Sequence, residues 1–230
     1  MKRELTIILL IGIVIQSCTS NKYLKSENYL NKTSNIPFFE PSVIVYSVDN
    51  SSLKLISKLK SNYNDSLSLV LKKKIYSTIN RNKRKYRIND EIILNNETIE
   101  AKVRKELADL IYQSMTKLSI KKIELTPTID SILESKNQRY ALGIRSLGFS
   151  YKKESFLKKT LTNTTSILTL GIVTPPPVKD QLSFYSIIMD SKTNRITYAR
   201  STIVDENSPT DLNVIKKQLD QLFEDNTYEK

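Results

Sequence analysis

Apolar positions along this chain recur at two spacings, and the two alternate. Residues 43–48 (Val43, Ile44, Val45, Tyr46, Ser47, Val48) are β-branched and apolar on both faces, which predicts a strand covered on both sides. Leu53, Ile56 and Leu59 continue as a short helix. Asp65 is the expected N-cap of a helix over 65–80, in which Leu67, Val70, Leu71, Ile75 and Ile79 fall at helical spacing. A short strand at 86–88 and an apolar patch at 91–94 come next. Thr98 is expected to cap a helix over 98–118, whose stripe is Ile99, Val103, Leu107, Leu110, Ile111 and Met115. Thr126-Pro127 opens a further helix with proline at its first position, and Ile129, Ile132 and Leu133 are its inner side.

The second half of the chain is richer in strands. Residues 139–151 read as one long strand, but the apolar parity changes near Ser146. Tyr140, Leu142 and Ile144 share one parity; Leu147, Phe149 and Tyr151 share the other. A β-bulge at Ser146, or a division into two strands, would keep both sets inside. Residues 152–180 contain a small, apolar stretch from Ser166 to Thr174 that ends in Pro175-Pro176-Pro177, and it reads equally as a strand, a packed loop or a contact patch. Residues 182–189 form a second strand apolar on both faces. The turn 190–195 follows, with Asn194 as the residue suited to positive φ, and 196–204 return as the hairpin partner. Ser208-Pro209 starts the last helix, expected over 209–223, with Leu212, Ile215, Leu219 and Leu222 on one face. No period of 20–50 residues repeats, so a solenoid is not expected. The expected fold class is α/β (α+β): one mixed sheet, holding 43–48, 139–151, 182–189 and 196–204, covered by helices.

The first forty residues break this pattern. Lys2 and Arg3 precede an apolar run from Leu5 to Ile15, too short for a membrane span of ~20 residues and right for a signal peptide. Ile15-Gln16-Ser17-Cys18 follows at once and resembles the lipobox of bacterial lipoproteins. The resemblance implies cleavage before Cys18 and lipidation of its thiol; Gln16 is bulkier than the residue usual there. The expected organisation is a signal peptide at 1–17, a lipid-anchored tether at 18–40, an α/β domain at 41–225 opening at Pro41, and a polar tail at 226–230. Export then sets the compartment: the cell envelope, with the outer membrane facing the periplasm expected because Thr19, not Asp, follows Cys18.

Composition narrows the chemistry. The chain has one cysteine and no histidine, which excludes disulfides, Ser-His-Asp and Cys-His nucleophile sets, and ordinary zinc sites. No glycine-rich phosphate loop is present, and no cofactor is expected. The formal charge is +12; losing two cations and one acid with the signal peptide leaves +11. In an exported chain such charge points to anionic lipid, cell-wall polymer or an acidic protein rather than nucleic acid. Arg81, Lys83, Arg84, Lys85 and Arg87 concentrate it, with Tyr86 among them, Lys72, Lys73 and Lys74 shortly before, and no acid inside the stretch. They form the candidate patch for an anionic surface; a solvated helix end is the plainer alternative. Glu97, Glu100, Glu106 and Asp109 read as a solvated helix face, and so do Asp130 and Glu134.

The order of elements resembles the α/β domain shared by curli-secretion lipoproteins, the outer-membrane activator lipoproteins of penicillin-binding proteins, and the amino-terminal domain of the translocation protein TolB. Three stretches carry the resemblance: Thr126-Pro127-Thr128-Ile129-Asp130-Ser131-Ile132-Leu133, then Arg139-Tyr140-Ala141-Leu142; Phe184 to Asp190 with Lys192-Thr193-Asn194, where the family has an Asp-x-Lys-Thr-Gly turn; and the strand from Ile196 to Thr202. The whole also resembles lipoproteins of Bacteroidota-type bacteria. The lipobox, these likenesses and the absence of catalytic residue sets together lead to the expectation of a lipid-anchored, non-enzymatic binding or assembly factor with a protein or cell-wall partner. An envelope hydrolase using carboxylates alone is the competing expectation.

Overall fold

A computed structural model describes residues 35–48, 66–151, 167–169, 172–174, 180–205 and 207–223. The signal peptide, Cys18, the helix expected near Leu53, the Asp65 cap, the polar tail and most of 152–180 lie outside the described residues.

The sheet has six strands. The chain enters through β1 (Ile36–Phe38) and continues in β2 (Ser42–Val48). Both run parallel to β4 (Tyr140–Tyr151) along the same side, Phe38 opposite Leu142 and Ser42 opposite Arg145. The break between them lies at residues 39–41, where Phe39 N–H donates to Leu142 C=O at 2.9 Å and Pro41 has no N–H to offer. β3 (Ile88–Glu91) pairs in parallel outside β1. On the other side β7 (Gln181–Asp190) runs antiparallel to β4, and β8 (Arg195–Asp205) antiparallel to β7. A separate two-stranded ladder pairs β5 (Ile167–Thr169) with β6 (Ile172–Thr174), so this part of the apolar stretch is strand.

The helices cover both faces of the sheet. α1 (Ser66–Arg81) and α5 (Leu212–Phe223) lie on one, with Leu71, Ile75, Ile79, Ile215, Leu219 and Leu222 packed on Phe38, Val43, Val45, Leu142 and Phe184. α3 (Glu97–Thr116) and α4 (Pro127–Ser135) lie on the other, with Val103, Leu107, Leu110, Ile129 and Leu133 packed on Ala141, Ile187 and Ala199. Two-sided cover explains the parity of β4. Its register with β7 runs unbroken from Tyr140 to Phe149, so no bulge stands at Ser146, and both parities are buried because each meets a helical layer or neighbouring strands. Gly148 marks one such close approach: a Cβ there would lie 2.8 Å from the Pro209 ring.

The start of the domain moves upstream. Ile36, Phe38 and Phe39 are 3%, 0% and 1% exposed, and Phe38 and Phe39 enter opposite cores. The tether expected over 18–40 therefore gives way to folded chain before Pro41. Two caps also move. Asn96, not Thr98, caps α3, its Oδ1 accepting from the N–H groups of Thr98 and Ile99. α5 begins at Leu212 rather than Pro209, with Asp211 Oδ1 accepting from Asn213 N–H at 2.8 Å. Asn194 takes φ 50°, as its place in the turn requires.

Candidate functional site

The chain leaves α1 through Asn82, whose side chain donates to Thr78 C=O at 2.7 Å, and makes one further turn, α2 (Lys83–Tyr86). Arg87 then adopts φ 55°, a left-handed conformation that costs energy in any L-residue with a Cβ, and its C=O accepts from Ile36 N–H as β3 begins. This sharp exit drives Tyr86 inward, where it is 3% exposed and stacks on Phe223 of α5 with ring centroids 4.6 Å apart.

α5 is set in register from beneath. Gln218 is fully buried and accepts from Thr202 Oγ1 of β8 at 2.9 Å. With Ile215, Leu219 and Leu222 inside, Asn213, Lys216, Lys217 and Asp220 fall three to four residues apart on one outer stripe. That stripe faces α2 across an open hollow of about 630 Å³, with Lys85, Arg87, Lys216 and Lys217 around Asp220. Asp220 Oδ1 accepts from Lys85 Nζ at 2.6 Å and from Tyr86 Oη at 2.9 Å.

The fold thus brings acids to a stretch that has none of its own. Lys83 pairs with Asp90 at 2.7 Å and Lys85 with Asp220. Arg81 and Arg84 are exposed and have no ion pair among the described residues, but they do not line the hollow. Of the five cations expected to act together, Lys85 and Arg87 meet at this site. Lys216 and Lys217, which the linear pattern did not single out, complete it. Their signal was the polar stripe of the last helix; its partner lies 135 residues upstream in the chain.

Electrostatics hold the centre of the hollow ionised. Burial raises the Asp220 carboxyl, but the bonds from Lys85 and Tyr86 outweigh it and leave the group below its usual 3.8. Burial, then the bond to Asp220, pushes the Tyr86 phenol well above 10. The signs differ. Asp220 contributes stability above its unfolded value, lost as pH falls through the folded one. Tyr86 contributes stability below pH 10, lost as pH rises through its raised folded value. Tyr86→Phe is therefore expected to lower the urea midpoint at pH 7 by the loss of one charge-assisted hydrogen bond, about 1.5–3 kcal/mol. It should also flatten the fall in stability between about pH 10 and 12. Urea unfolding of parent and variant across that range checks both.

A second, smaller cleft of about 80 Å³ has Glu40, Glu91 and Glu100 at its edge beside Arg104. Glu40 pairs with Lys72 at 2.5 Å and Arg104 at 3.5 Å, and Glu91 accepts from Tyr76 Oη at 2.5 Å. Glu106 departs from the solvated role expected for it: it accepts from Thr126 and Thr128 Oγ1, tying α3 to the start of α4.

No known family matches the sequence, and no curated protein matches it. Similar solved structures include the PelC dodecamer of Paraburkholderia phytofirmans, at 10% identity over 89% of this chain and 91% of that one, with a TM-score of 0.34. They also include the C-terminal domain of LpoB from Salmonella enterica, at 8% identity over 81% of this chain and 98% of that one, with a TM-score of 0.26.

Proposed function

We propose that this protein is a lipid-anchored, non-enzymatic binding or assembly factor of the bacterial cell envelope, facing the periplasm from the outer membrane. Its partner is an anionic envelope component, a cell-wall polymer or an acidic protein surface, met by the basic face between α2 and α5. The observation that carries the reading is the convergence of Lys85, Arg87, Lys216 and Lys217 on one open hollow from two distant parts of the chain. The lipobox at Cys18 supports the envelope; the missing histidine and the ion-paired Glu40 support binding over hydrolysis.

The test uses the mature chain with Cys18→Ser, so that no lipid masks the surface. Its binding to purified cell wall and to phosphatidylglycerol vesicles is expected to weaken as salt rises, because surface charges are screened within ~10 Å at 0.1 M. Replacing Lys85, Arg87, Lys216 and Lys217 with Gln is expected to remove most of that binding; changing Arg81, Lys83 and Arg84 instead should remove less. A parent that binds neither surface at low salt refutes the reading.

A further inference from the structure

Among the cations that line the hollow stands one carboxylate, Asp220, which ties α5 to α2 through Lys85 and Tyr86 and also faces the hollow. Both donors use Oδ1; Oδ2 has no hydrogen-bond partner among the described residues. The carboxylate is oriented by two donors at Oδ1, and its side chain, 31% exposed, leaves Oδ2 open to the hollow. An ammonium group is a poor match for that oxygen, because the described lining already sets four cations beside one acid. A neutral donor, a hydroxyl, carries no such penalty. Asn213 and Gln221 stand on the same wall and offer both donors and acceptors. The volume of about 630 Å³ lies within the ~300–1,000 Å³ of small-molecule sites and exceeds what one phosphate fills.

We propose that the hollow between α2 and α5 binds an acidic saccharide, a sugar unit whose anionic group meets Arg87, Lys216 and Lys217 while its hydroxyls donate to Asp220 and exchange hydrogen bonds with Asn213 and Gln221. The proposal rests on the basic face being a binding surface and adds what that surface reads. Charge brings the ligand in; Asp220 and the two amides select hydroxyl-bearing anions from among all anions. Lys85 is a positioning residue, turning the carboxylate toward the ligand, and Phe223 with Tyr86 forms the rigid floor.

The sign of one substitution separates this from plain attraction. Asp220→Asn keeps the shape and an acceptor for Tyr86 but removes a negative charge. Simple electrostatics then predicts tighter binding of every anion; a hydroxyl-reading site predicts weaker binding of the saccharide alone. Calorimetry on the mature Cys18→Ser chain would use trigalacturonate, its fully methyl-esterified form, tripolyphosphate and phosphatidylglycerol vesicles. Trigalacturonate is expected to bind at least ten-fold tighter than the ester and no weaker than tripolyphosphate. Asp220→Asn should weaken trigalacturonate about five-fold or more while strengthening tripolyphosphate. Asn213→Ala with Gln221→Ala, which leaves Lys85 and Tyr86 untouched, should weaken only the saccharide. If Asp220→Asn tightens trigalacturonate, or tripolyphosphate or vesicles bind more strongly than the saccharide, the saccharide reading falls while the anionic-surface reading stands. If no anionic probe binds at low salt, both fall.

Discussion

Replacing Phe38 by alanine is expected to destabilise the protein by about 3–5 kcal/mol, the range for removing a fully buried aromatic side chain from a core that relaxes only in part. Phe38 has no exposed surface and packs 6.2 Å, centroid to centroid, from Tyr76 of α1. Among the described strands, β1 alone joins β3 to the rest of the sheet. A mature chain that begins at Pro41 is expected to lose more. It lacks Ile36 and Phe38 from one core and Phe39 from the other, and leaves Leu142 C=O and the β3 ladder without partners. The measurement is urea unfolding: Phe38→Ala should lower the midpoint with little change in slope, whereas the shortened chain should lose its cooperative transition. An unchanged midpoint for the chain starting at Pro41 would return residues 36–39 to the tether.

That strand was hidden for a physical reason. It is three residues long, carries Pro37 at its centre, and follows a polar run, so neither alternation nor β-branching marks it. Its stability comes from two neighbours, β3 and β4, that lie 52 and more than a hundred residues away in sequence. The long strands were legible because each has enough apolar residues to declare itself: β2, β4, β7 and β8 appear where β-branched and aromatic runs place them, in one sheet. The parity change in β4 was legible as a fact but not as a cause. A change of parity implies a bulge only when one face is wet; in β4, Ala141 and Leu142 enter opposite cores, and Leu147 and Phe149 are buried with no bulge in the register.

Cap chemistry shows a similar limit. Asn96 and Thr98 are both acceptable N-caps, and only the backbone at Asn96, extended at φ −145°, decides between them. At the last helix, Pro209 suits a first turn but is drawn into the contact with Gly148, and Asp211 takes over as the cap. The candidate site was half legible. Local charge density found Lys85 and Arg87, because cations crowded at 81–87 need no partner to be noticed. Neutralisation of Lys83 and Lys85 by Asp90 and Asp220, and the arrival of Lys216 and Lys217, depend on the packing of α5 beside α2. Nothing in a linear charge pattern encodes that packing.

Replacing Cys18 by alanine is expected to leave either an unprocessed precursor that still carries residues 1–17 or a protein released to the soluble fraction. The thiol is the only one in the chain, and it stands where the lipobox resemblance puts the acceptor. One acyl chain binds a bilayer with a constant of only about 10⁴ M⁻¹, each buried CH₂ contributing ~0.8 kcal/mol; the several chains of a processed lipoprotein make release negligible. In a released variant, without residues 1–17 and without acyl chains, the basic face is what remains to hold a membrane. A described lining of four cations and one acid, net +3, near an anionic leaflet supplies at most about 3 kcal/mol at ~1 kcal/mol per cation, roughly a hundred-fold in affinity. Residual attachment of Cys18→Ala should therefore vanish in high salt, where the screening length shrinks to ~3 Å at 1 M, while the parent stays in the pellet. Adding Lys216→Gln and Lys217→Gln to Cys18→Ala should remove the salt-sensitive fraction at low salt as well. Intact mass completes the test: the parent should exceed its mature peptide mass by acyl groups, and the variant should keep residues 1–17 or appear without lipid. A parent carrying an unmodified Cys18, or a variant without residues 1–17 that sediments with membranes in 1 M salt, would place the anchor elsewhere.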